Sequence, residues 1–366
     1  MLVYSEKEIR GFVLSLPLVH PFRTSFGEER ERKFILVMAK KGEKKGWGEV
    51  VAGEAPLYSE ETLASAKYML ENYLFPLALS CELDPICFEK EARSFRGNPM
   101  AKAGISLALW DLRGKREGKP LWKIYGGSRR EIPSGVSVGI QPSLDGLLGR
   151  IEGFVMEGYL RVKVKIKLGW DCEVVKKVRE AFPYLPLGAD ANSAYRKENM
   201  ERLLCFEEAD LLFLEQPLYP DDLYYHSKLQ RLTKTPLALD ESIRSVRLME
   251  TGYYMGSFSI VNIKVGRMGG IGEVLKAAEF ASQKGIPLFC GGMLESGIGR
   301  AHNLHIASLE PFVLPADLSQ TSRYYIQDIT RPFTFSRPGY IEIPEGDGIG
   351  VEPEAGVFEK RIIEKF

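Results

Sequence analysis

The apolar positions of the chain form short runs that recur at a nearly constant interval in its middle part. The runs end at Lys165, Asp190, Glu215, Asp240 and Lys264, of which the first four are 25 residues apart and the last follows 24 residues later. A polar residue at the end of a buried strand, repeated about every 25 residues, is typical of the catalytic mouth of a (β/α)₈ barrel. The pattern therefore predicts parallel strands that present these five side chains at one rim.

Strands and helices alternate on both sides of this series. From about residue 131 to 320, apolar runs alternate with helical segments, and this alternation argues for a parallel sheet. Eight strands fit, of which the first lies at 135–140, the seventh at 286–290 and the eighth at 312–315. The helical segments include 172–182, 197–208 and 272–284.

The two ends of the chain have a different pattern. Residues 1 to about 55 resemble β-strands, whereas residues 59–126 have helical periodicity. We therefore expect an α/β protein, a (β/α)7-8 TIM-like barrel with an α+β capping domain. The expected divisions are a capping domain at 1–126, the barrel at 127–320 and a C-terminal segment at 321–366 that packs back on the capping domain.

Composition and charge narrow the classes of function. Lys+Arg and Asp+Glu balance at 49 each, and nucleic-acid or membrane surfaces normally need a basic excess, so we expect neither partner. No apolar run approaches the roughly 18 residues of a membrane span. The apolar start lacks a basic segment before it, so we expect no signal peptide and a cytoplasmic location. The five cysteines form no CxxC pair, which favours reduced thiols.

Asp190, Glu215 and Asp240 predict a cation site. Three carboxylates at one rim repel one another unless a cation neutralises them. Ligands that are all oxygen favour Mg²⁺, with Mn²⁺ as a plausible substitute, over Zn²⁺. A single carboxylate is more often solvated or a helix cap, but three in register at strand ends favour a metal site. His302 and His305 offer no alternative, because no third ligand lies near them in sequence.

Lys163 and Lys165 lie on the same face of one predicted strand, because side chains alternate along a strand. Inside a barrel, burial favours the neutral form of lysine, and neutral lysine is a competent general base. The alternative is a basic strand on the surface, since Arg161 and Lys167 flank the pair. The spacing to Asp190 favours the functional interpretation.

Lys264 would stand across the mouth from Lys165. Arg267 either helps to keep Lys264 unprotonated by like-charge repulsion or is a structural cation. A metal flanked by opposed lysines implies that one lysine removes a proton next to a metal-bound carboxylate and that Mg²⁺ stabilises the enolate. A proton returned to the other face gives racemisation or epimerisation, whereas a leaving group on the β-carbon gives elimination.

Several stretches together resemble the enolase superfamily, muconate-lactonizing subgroup, and most of all its o-succinylbenzoate synthase / N-succinylamino acid racemase branch. The resemblance covers essentially the whole chain and rests on residues 21–27, 97–101, 137–142, 163–171, 190–195, 215–218 and 291–300. It implies that Lys165 and Lys264 are the catalytic lysines on opposite faces of the substrate. It also implies that Mg²⁺ is bound by three residues: Asp190, Glu215 and Asp240.

The same resemblance implies contacts to the substrate. Lys163 would stabilise the substrate carboxylate or the enolate, and Asn192 would lie beside the metal. Ser137 and the backbone of Gly292 and Met293 would contact the succinyl arm. The loop around residues 20–27 would close over the substrate.

Two pairs of residues have alternative roles. Phe22 and Phe26 belong either to the core or to the substrate site. Glu295 and Arg300 belong either to the site or to a structural ion pair.

The resemblance implies a specific reaction. Lys165 would remove the α-proton of 2-succinyl-6-hydroxy-2,4-cyclohexadiene-1-carboxylate and protonate the departing hydroxide, while Lys264 stays cationic. This syn-dehydration gives 2-succinylbenzoate, a menaquinone precursor. The alternative is racemisation of N-succinylamino acids, possible on the same scaffold because both substrates share the succinyl arm.

Other activities fit less well. Dipeptide epimerases carry Asp-x-Asp on strand 8, and Asp317-Leu318-Ser319 lacks the second acid. Mandelate-racemase-like members use a histidine on strand 7, where this chain has Cys290-Gly291-Gly292. A Schiff-base aldolase needs no set of three carboxylates, and the phosphate-binding motifs of nucleotide-binding proteins are absent from the sequence. A non-catalytic metal-binding barrel stays an alternative, under which Lys165→Ala would leave every measurable property unchanged. We expect a small-molecule substrate and a homo-oligomer.

Overall fold

A computed structural model describes residues 7–23 and 28–366, without the side chains of residues 21–23, 28 and 29. The chain begins with three antiparallel strands, β1 (Lys7–Arg23), β2 (Glu28–Lys41) and β3 (Lys44–Val50). Phe26 and the side chain of Phe22 lie outside the described part, so their roles and the closing loop stay predictions.

Helices follow this sheet, as the periodicity predicts. They are α1 (Leu63–Met69), α2 (Phe75–Ser80), α3 (Pro85–Glu91), α4 (Pro99–Glu117) and α5 (Leu121–Tyr125). A π-helical turn, Leu70–Leu74, joins α1 to α2, and a 3₁₀ turn, Ala92–Ser94, follows α3. The long helix α4 is buried on all sides over residues 103–112, where it packs against β2, β3 and a later helix, Val265–Met268.

A short strand, β4 (Glu131–Pro133), leads into seven parallel strands that form one sheet in chain order. These are β5 (Gly135–Val138), β6 (Arg161–Lys165), β7 (Leu187–Asp190), β8 (Phe213–Glu215), β9 (Leu237–Leu239), β10 (Ile260–Ile263) and β11 (Leu288–Cys290). The registers align Lys165 with Asp190, and Asp190 with Glu215. The 25-residue interval therefore corresponds to one strand–helix unit.

Helices connect successive strands of this sheet. They are α6 (Leu144–Met156), α7 (Cys172–Ala181), α8 (Leu223–Leu232), α9 (Val246–Met255), α10 (Val265–Met268) and α11 (Ile271–Lys284). A further helix, α12 (Gly297–Ala307), follows β11, the last strand of the sheet. Between β7 and β8 the connection is a 3₁₀ helix, Lys197–Ala209, where the periodicity predicts a helical segment at 197–208. The TIM-like barrel with a cap is confirmed.

The eighth barrel strand predicted at 312–315 is wrong. Pro311 and Pro315 bound this segment, and proline cannot donate to a sheet ladder. The segment still lies beside β11, since Leu314 N donates to Leu288 O at 3.3 Å. The residues that follow close the barrel: Gly135 N donates to Ala316 O at 2.7 Å, and Asp317 N donates to Cys290 O at 2.8 Å. The end of the barrel that carries β5 is thereby joined to the end that carries β11.

The last part of the chain returns to the start. A 3₁₀ turn, Thr321–Arg323, precedes β12 (Phe335–Arg337) and β13 (Tyr340–Glu342), which form a small sheet with β4. After α13 (Ala355–Arg361), the strand β14 (Ile362–Lys365) pairs antiparallel with β1. In the described ranges, 7–23 and 28–366, no helix is both long and apolar enough to span a bilayer.

Buried polar contacts join the N-terminal sheet to the barrel. The carboxylate of Glu49, at the end of β3, accepts hydrogen bonds from the backbone N–H groups of Ser296 and Gly299 at the start of α12. His302 Nε2 lies 2.8 Å from Trp47 O. Burial raises the pKa of Glu49 to about 8, although the Ser296 hydroxyl opposes the shift. These contacts hold the cap on the barrel beside the segment that follows β11.

The expectation of reduced thiols is wrong for one pair of cysteines. Cys172, the first residue of α7, forms a disulfide with Cys205 in the 3₁₀ helix, with a Cα–Cα distance of 5.8 Å. No CxxC pattern marks this bond, because the two residues are 33 positions apart and lie on the connections before and after β7. Disulfides are rare in the cytosol, so this bond counts against the predicted cytoplasmic location. Cys81, Cys87 and Cys290 are free thiols.

Gly48 tests how closely β3 packs on α4. A Cβ at this position would lie 2.1 Å from the carbonyl oxygen of Gly104 and 2.5 Å from Ala108 N. Overpacking against backbone atoms costs about 1–3 kcal/mol, so we expect Gly48→Ala to lower the free energy of unfolding by this amount. Urea unfolding followed by circular dichroism measures the change.

Gly149→Ala is the matched control. Gly149 lies inside α6, and a Cβ at this position would have no atom within 4 Å. Alanine in a helix interior is favoured over glycine by about 0.5–1 kcal/mol, so this variant should be as stable as the parent or slightly more. Equal stability of both variants would contradict the close packing of β3 on α4.

Candidate active site

The five charged residues of the 25-residue series lie at the carboxyl ends of five consecutive strands. Lys165, Asp190 and Glu215 are the last residues of β6, β7 and β8, and Asp240 and Lys264 directly follow β9 and β10. Four of them are buried, and Lys165 retains 13% of its side-chain exposure. The structure thus brings together at one rim all the residues that the spacing predicts there.

Each of the three carboxylates is paired with a lysine. Three distances are 2.7 Å: Lys165 Nζ to Asp190 Oδ2, Lys163 Nζ to Glu215 Oε2, and Lys264 Nζ to Asp240 Oδ2. Lys163 Nζ also lies 3.4 Å from Asp190 Oδ2. The ammonium groups therefore stand where the negative charges converge.

Arg161 excludes the alternative of a basic strand on the surface. The side chain of Arg161 is fully buried, and that of Lys163 is only 4% exposed. The guanidinium lies over the stacked rings of Phe213 and Phe289, 5.7 and 5.6 Å from their centroids. β6 is therefore an interior strand of the barrel, and the basic face of that strand points inward.

Lys264 is held in its charged form. Burial works to lower its pKa, but attraction by Asp240 and then by Tyr58 outweighs it and raises the pKa well above the usual value. Repulsion from Arg267 lowers the pKa of Lys264, as expected if Arg267 kept this lysine unprotonated, but the effect is smaller than the opposite effect of Asp240. The Arg267 guanidinium contacts Asp240 Oδ1 and donates to the Asn262 carbonyl oxygen at 2.6 Å, so here it acts as a structural cation.

Glu215 lies at the centre of the negative charge. Burial, followed by repulsion from Asp190, raises its pKa to about 8, while Lys163 opposes the shift. For Asp240, burial is outweighed by Arg267 and Lys264, which lower its pKa to about 2. The carboxyl group with fewer cations beside it thus binds a proton more readily, whereas the one between two cations stays charged. The buried carboxylates of the rim therefore depend on neighbouring cations to remain ionised.

The donor chemistry of this rim fits a hard cation. Asp190, Glu215 and Asp240 offer only carboxylate oxygens, and one oxygen of the neighbouring Glu241 is buried without a partner among the described residues. Within the described ranges, no three acidic, histidine or cysteine side chains are grouped closely enough to hold an ion as they stand. The lysine ammonium groups between the carboxylates account for this arrangement.

Asp317 also belongs to the site. In the sequence it stood out only as the first residue of an incomplete Asp-x-Asp motif. Its Oδ2 lies 2.6 Å from Lys163 Nζ, and its Oδ1 lies 2.6 Å from Arg161 Nη2. The carboxylate is thus already engaged by two buried cations. No sequence signal pairs residues more than 150 positions apart, so only the closed barrel shows this contact.

Two further polar residues complete the charged rim. Tyr58, from the segment between β3 and α1, places its hydroxyl 3.2 Å from Lys264 Nζ and 3.0 Å from Arg267 Nη1. Asn192 Nδ2 donates to Glu241 Oε1 at 3.0 Å, while its Oδ1 accepts from Lys165. Glu241 follows Asp240 in sequence and could have been found from that position, whereas nothing in the sequence indicates Tyr58.

The rim opens into a cavity of about 340 Å³ beneath the N-terminal sheet. The cavity is lined by all four residues for which the resemblance implies contact with the metal region or the succinyl arm. They are Ser137, Asn192, Gly292 and Met293. Lys163, Lys165 and Lys264 line it as well, so the charged groups face a space where a small molecule fits.

Glu295 and Arg300 support the segment that follows β11. Glu295 Oε2 accepts from Met293 N at 2.8 Å, and its Oε1 accepts from Asn303 at 2.9 Å. Arg300 donates to the backbone oxygens of Ser319 and Glu295, at 2.7 and 3.3 Å. Arg300 therefore reaches the main chain of Glu295 and not its carboxylate, and both residues hold the wall of the cavity in place.

Known proteins share both halves of this architecture. Residues 9–126 match the family described as mandelate racemase / muconate lactonizing enzyme, N-terminal domain, and residues 148–357 match the enolase C-terminal domain-like family. The chain belongs to the enolase superfamily. The resemblance noted in the sequence is confirmed.

Individual superfamily members are similar over nearly the whole chain. The o-succinylbenzoate synthase of Geobacillus kaustophilus is 45% identical over 355 residues, 96% of this chain and 93% of that protein. The N-succinylamino acid racemase of Thermus thermophilus is 46% identical over 340 residues, 93% and 92% of the two chains. A solved superfamily member from Listeria innocua superposes with a TM-score of 0.94 at 38% identity, covering 99% of this chain and 98% of that one.

Asp317→Asn tests the charge balance beneath the site. Removal of one partner from a buried ion pair costs about 3–5 kcal/mol, and here two buried cations, Arg161 and Lys163, lose their shared carboxylate. We expect the free energy of unfolding at pH 7 to fall by about 3 kcal/mol or more in urea titrations. The exposed Asp221→Asn is the control and should change it by less than about 0.5 kcal/mol.

The pH dependence of this difference has a definite sign. Burial works to raise the pKa of Asp317, but Arg161 and Lys163 lower it well below the usual range of an aspartate. A carboxyl group whose pKa is lowered by folding stabilises the folded state above the unfolded pKa and loses this effect as the pH falls towards the folded pKa. The difference in the free energy of unfolding between the parent and Asp317→Asn should therefore be constant above about pH 5 and become smaller below about pH 4. A difference that widens on acidification would contradict the assignment.

Proposed function

We propose that the protein is an o-succinylbenzoate synthase. It would dehydrate 2-succinyl-6-hydroxy-2,4-cyclohexadiene-1-carboxylate to 2-succinylbenzoate, a precursor of menaquinone. The observation that carries this proposal is that Lys165 and Lys264 line one cavity from strands four places apart in the sheet, on either side of the buried carboxylates. Relatives at 45% identity that bear the synthase name support the choice of substrate.

The proposed chemistry assigns a different task to each lysine. Lys165 Nζ removes the proton next to the substrate carboxylate and gives it to the hydroxide that leaves from the same face. Lys264 remains an ammonium and stabilises the negative charge of the enolate from the opposite side. Lys163 stays paired with Asp317 and Glu215 and adds positive charge at the base of the site.

We propose Mg²⁺, with Mn²⁺ as a substitute, as the cofactor held by Asp190, Glu215 and Asp240. When bound, it supplies a Lewis acid that grips the substrate carboxylate. Residues that hold a cation in this way would release Lys165 from its role as the partner of Asp190, so that Lys165 could act as the base. Lys163 and Lys264 keep further partners in Asp317 and Tyr58.

Racemisation of N-succinylamino acids is the second candidate. It is favoured by the presence of a lysine on both sides of the cavity, because a dehydratase needs only one proton-transfer group. The relative from Thermus thermophilus that is named N-succinylamino acid racemase, at 46% identity, also supports racemisation. In this reaction Lys165 and Lys264 would exchange the α-proton on opposite faces of the substrate.

The organisation of the molecule around this chemistry remains a proposal as well. We propose a capping domain at 1–126, a barrel at 127–320 and a returning segment at 321–366. The first boundary is supported by the family match that ends at residue 126. The homo-oligomer stays a prediction. The cytoplasmic location stays a prediction.

Purified protein with Mg²⁺ provides the direct test. It should convert the cyclohexadiene acid to the aromatic product and, in D₂O, introduce α-deuterium into N-succinyl-D- and L-amino acids. EDTA should abolish both reactions, and added Mg²⁺ should restore them. If neither substrate reacts and no α-deuterium appears, the proposed function is wrong.

Lys165→Ala separates the roles of the two lysines. Because positioned acid–base groups contribute about 10²- to 10⁴-fold, we expect the dehydration rate to fall by that factor. In D₂O the variant should lose α-proton exchange for one enantiomer of an N-succinylamino acid, and Lys264→Ala should lose it for the other. Proton NMR of the α-position measures both rates.

Lys167→Ala is the control, because this lysine lies two positions beyond Lys165 and is exposed. Its dehydration and exchange rates should match those of the parent. Loss of exchange for both enantiomers in each single variant would contradict the assignment of one lysine to each face.

A further inference from the structure

Arg323 occupies the wall between two cavities. It is the last residue of the 3₁₀ turn that follows the closing segment of the barrel. It lines both the 340 Å³ cavity of the candidate site and a second cavity of about 290 Å³. Leu294 and Tyr324 also line both spaces, so the two cavities meet at this wall.

The charge of Arg323 is unbalanced in the described part of the chain. Lys163, Lys165 and Lys264, which line the same cavity, each face a carboxylate at 2.7 Å or closer. Arg323 has no carboxylate within ion-pair distance among the described residues; its Nη2 donates to the Ser137 carbonyl oxygen at 2.9 Å. Its Nε is buried and has no acceptor.

Aromatic rings fix the position of this guanidinium. Its central carbon lies 5.0 Å from the ring centroid of Phe154 and 5.4 Å from that of Tyr324. These contacts, with the hydrogen bond to Ser137, restrain the side chain before any ligand arrives. A restrained guanidinium with free N–H groups is suited to bidentate binding of a carboxylate.

Ser137 relates Arg323 to the charged rim. The backbone oxygen of Ser137 accepts from Arg323, while its hydroxyl lies 3.4 Å from Asp317 Oδ1, and Asp317 in turn contacts Lys163. Arg323 is therefore a positive group of the cavity wall that is separate from the lysines of the rim. A ligand with two anionic ends would place one at the rim and the other at Arg323.

We propose that Arg323 binds the distal carboxylate of the succinyl arm and so selects substrates that carry this charge. The inference rests on the proposed function, because it takes the substrate class from there. It adds a binding residue that recognises the far end of the substrate and takes no part in proton transfer. The second cavity gives the end of the arm room beside the guanidinium.

Arg323→Met, compared with the parent on two matched ligands, tests this role. The ligands are an N-succinylamino acid and its N-succinamoyl analogue, in which the distal carboxylate is an amide of nearly the same shape. A hydrogen bond to a charged group contributes enough for about a 10- to 100-fold change, so KM for the succinyl substrate should rise by that factor. KM for the amide should change by less than about threefold, and kcat for both should be retained.

Two further variants separate charge from structure. Arg323→Lys should retain part of the preference for the succinyl ligand, because it keeps the charge but loses the bidentate geometry. Arg331→Met, at an exposed arginine eight positions further on, should behave like the parent. Equal losses on both ligands, or no loss on either, would overturn the assignment of Arg323.

Calorimetric titration of 2-succinylbenzoate in the presence of Mg²⁺ separates this inference from the proposed function. If the parent protein binds 2-succinylbenzoate and Arg323→Met binds it about 10-fold or more weakly, Arg323 holds the distal carboxylate whether or not the protein catalyses either reaction. If both bind it equally, the inference about Arg323 is wrong while the proposed function stands. If the parent does not bind 2-succinylbenzoate and turns over neither the cyclohexadiene acid nor an N-succinylamino acid, the inference and the proposed function are both wrong.

Discussion

The mutual repulsion of buried carboxylates at the barrel mouth is the constraint on which the rest of this structure depends. Glu215 is fully enclosed, with Asp190 beside it in register and Asp240 near enough to raise its pKa further. Such a group of acids is unfavourable in a folded protein unless positive charge is placed among them. The inward-facing lysines and the two buried arginines, Arg161 and Arg267, meet this requirement.

The same requirement explains why the two parts of the molecule are built around one another. Tyr58 reaches from the N-terminal part to Lys264 and Arg267, and Glu49 reaches from β3 to the start of α12. The floor of the cavity comes from the barrel strands and its cover from the segment after β3. The electrostatic environment of Lys264 therefore depends on residues from both parts, and the cap contributes to the chemistry as well as to enclosure.

The sequence predicted the barrel and its charged rim well, because both follow from local regularity. Strands of similar length joined by helices of similar length place Lys165, Asp190 and Glu215 at equal intervals, and that interval is visible without any knowledge of packing. The pairing of Asp317 with Lys163 and the place of Arg323 depend on how the chain closes after β11, which no periodicity encodes. The missing eighth strand was predictable in part, since prolines bound it, but the hydrogen bonds that replace it were not.

The disulfide between Cys172 and Cys205 also bears on how the site is held together. It closes a covalent ring that contains α7, the strand β7, Asp190 and Asn192. A single break of the backbone inside this ring leaves two pieces that remain one molecule. The strand β7, which ends in Asp190, would thus stay covalently linked to the rest of the chain on both sides of a nick.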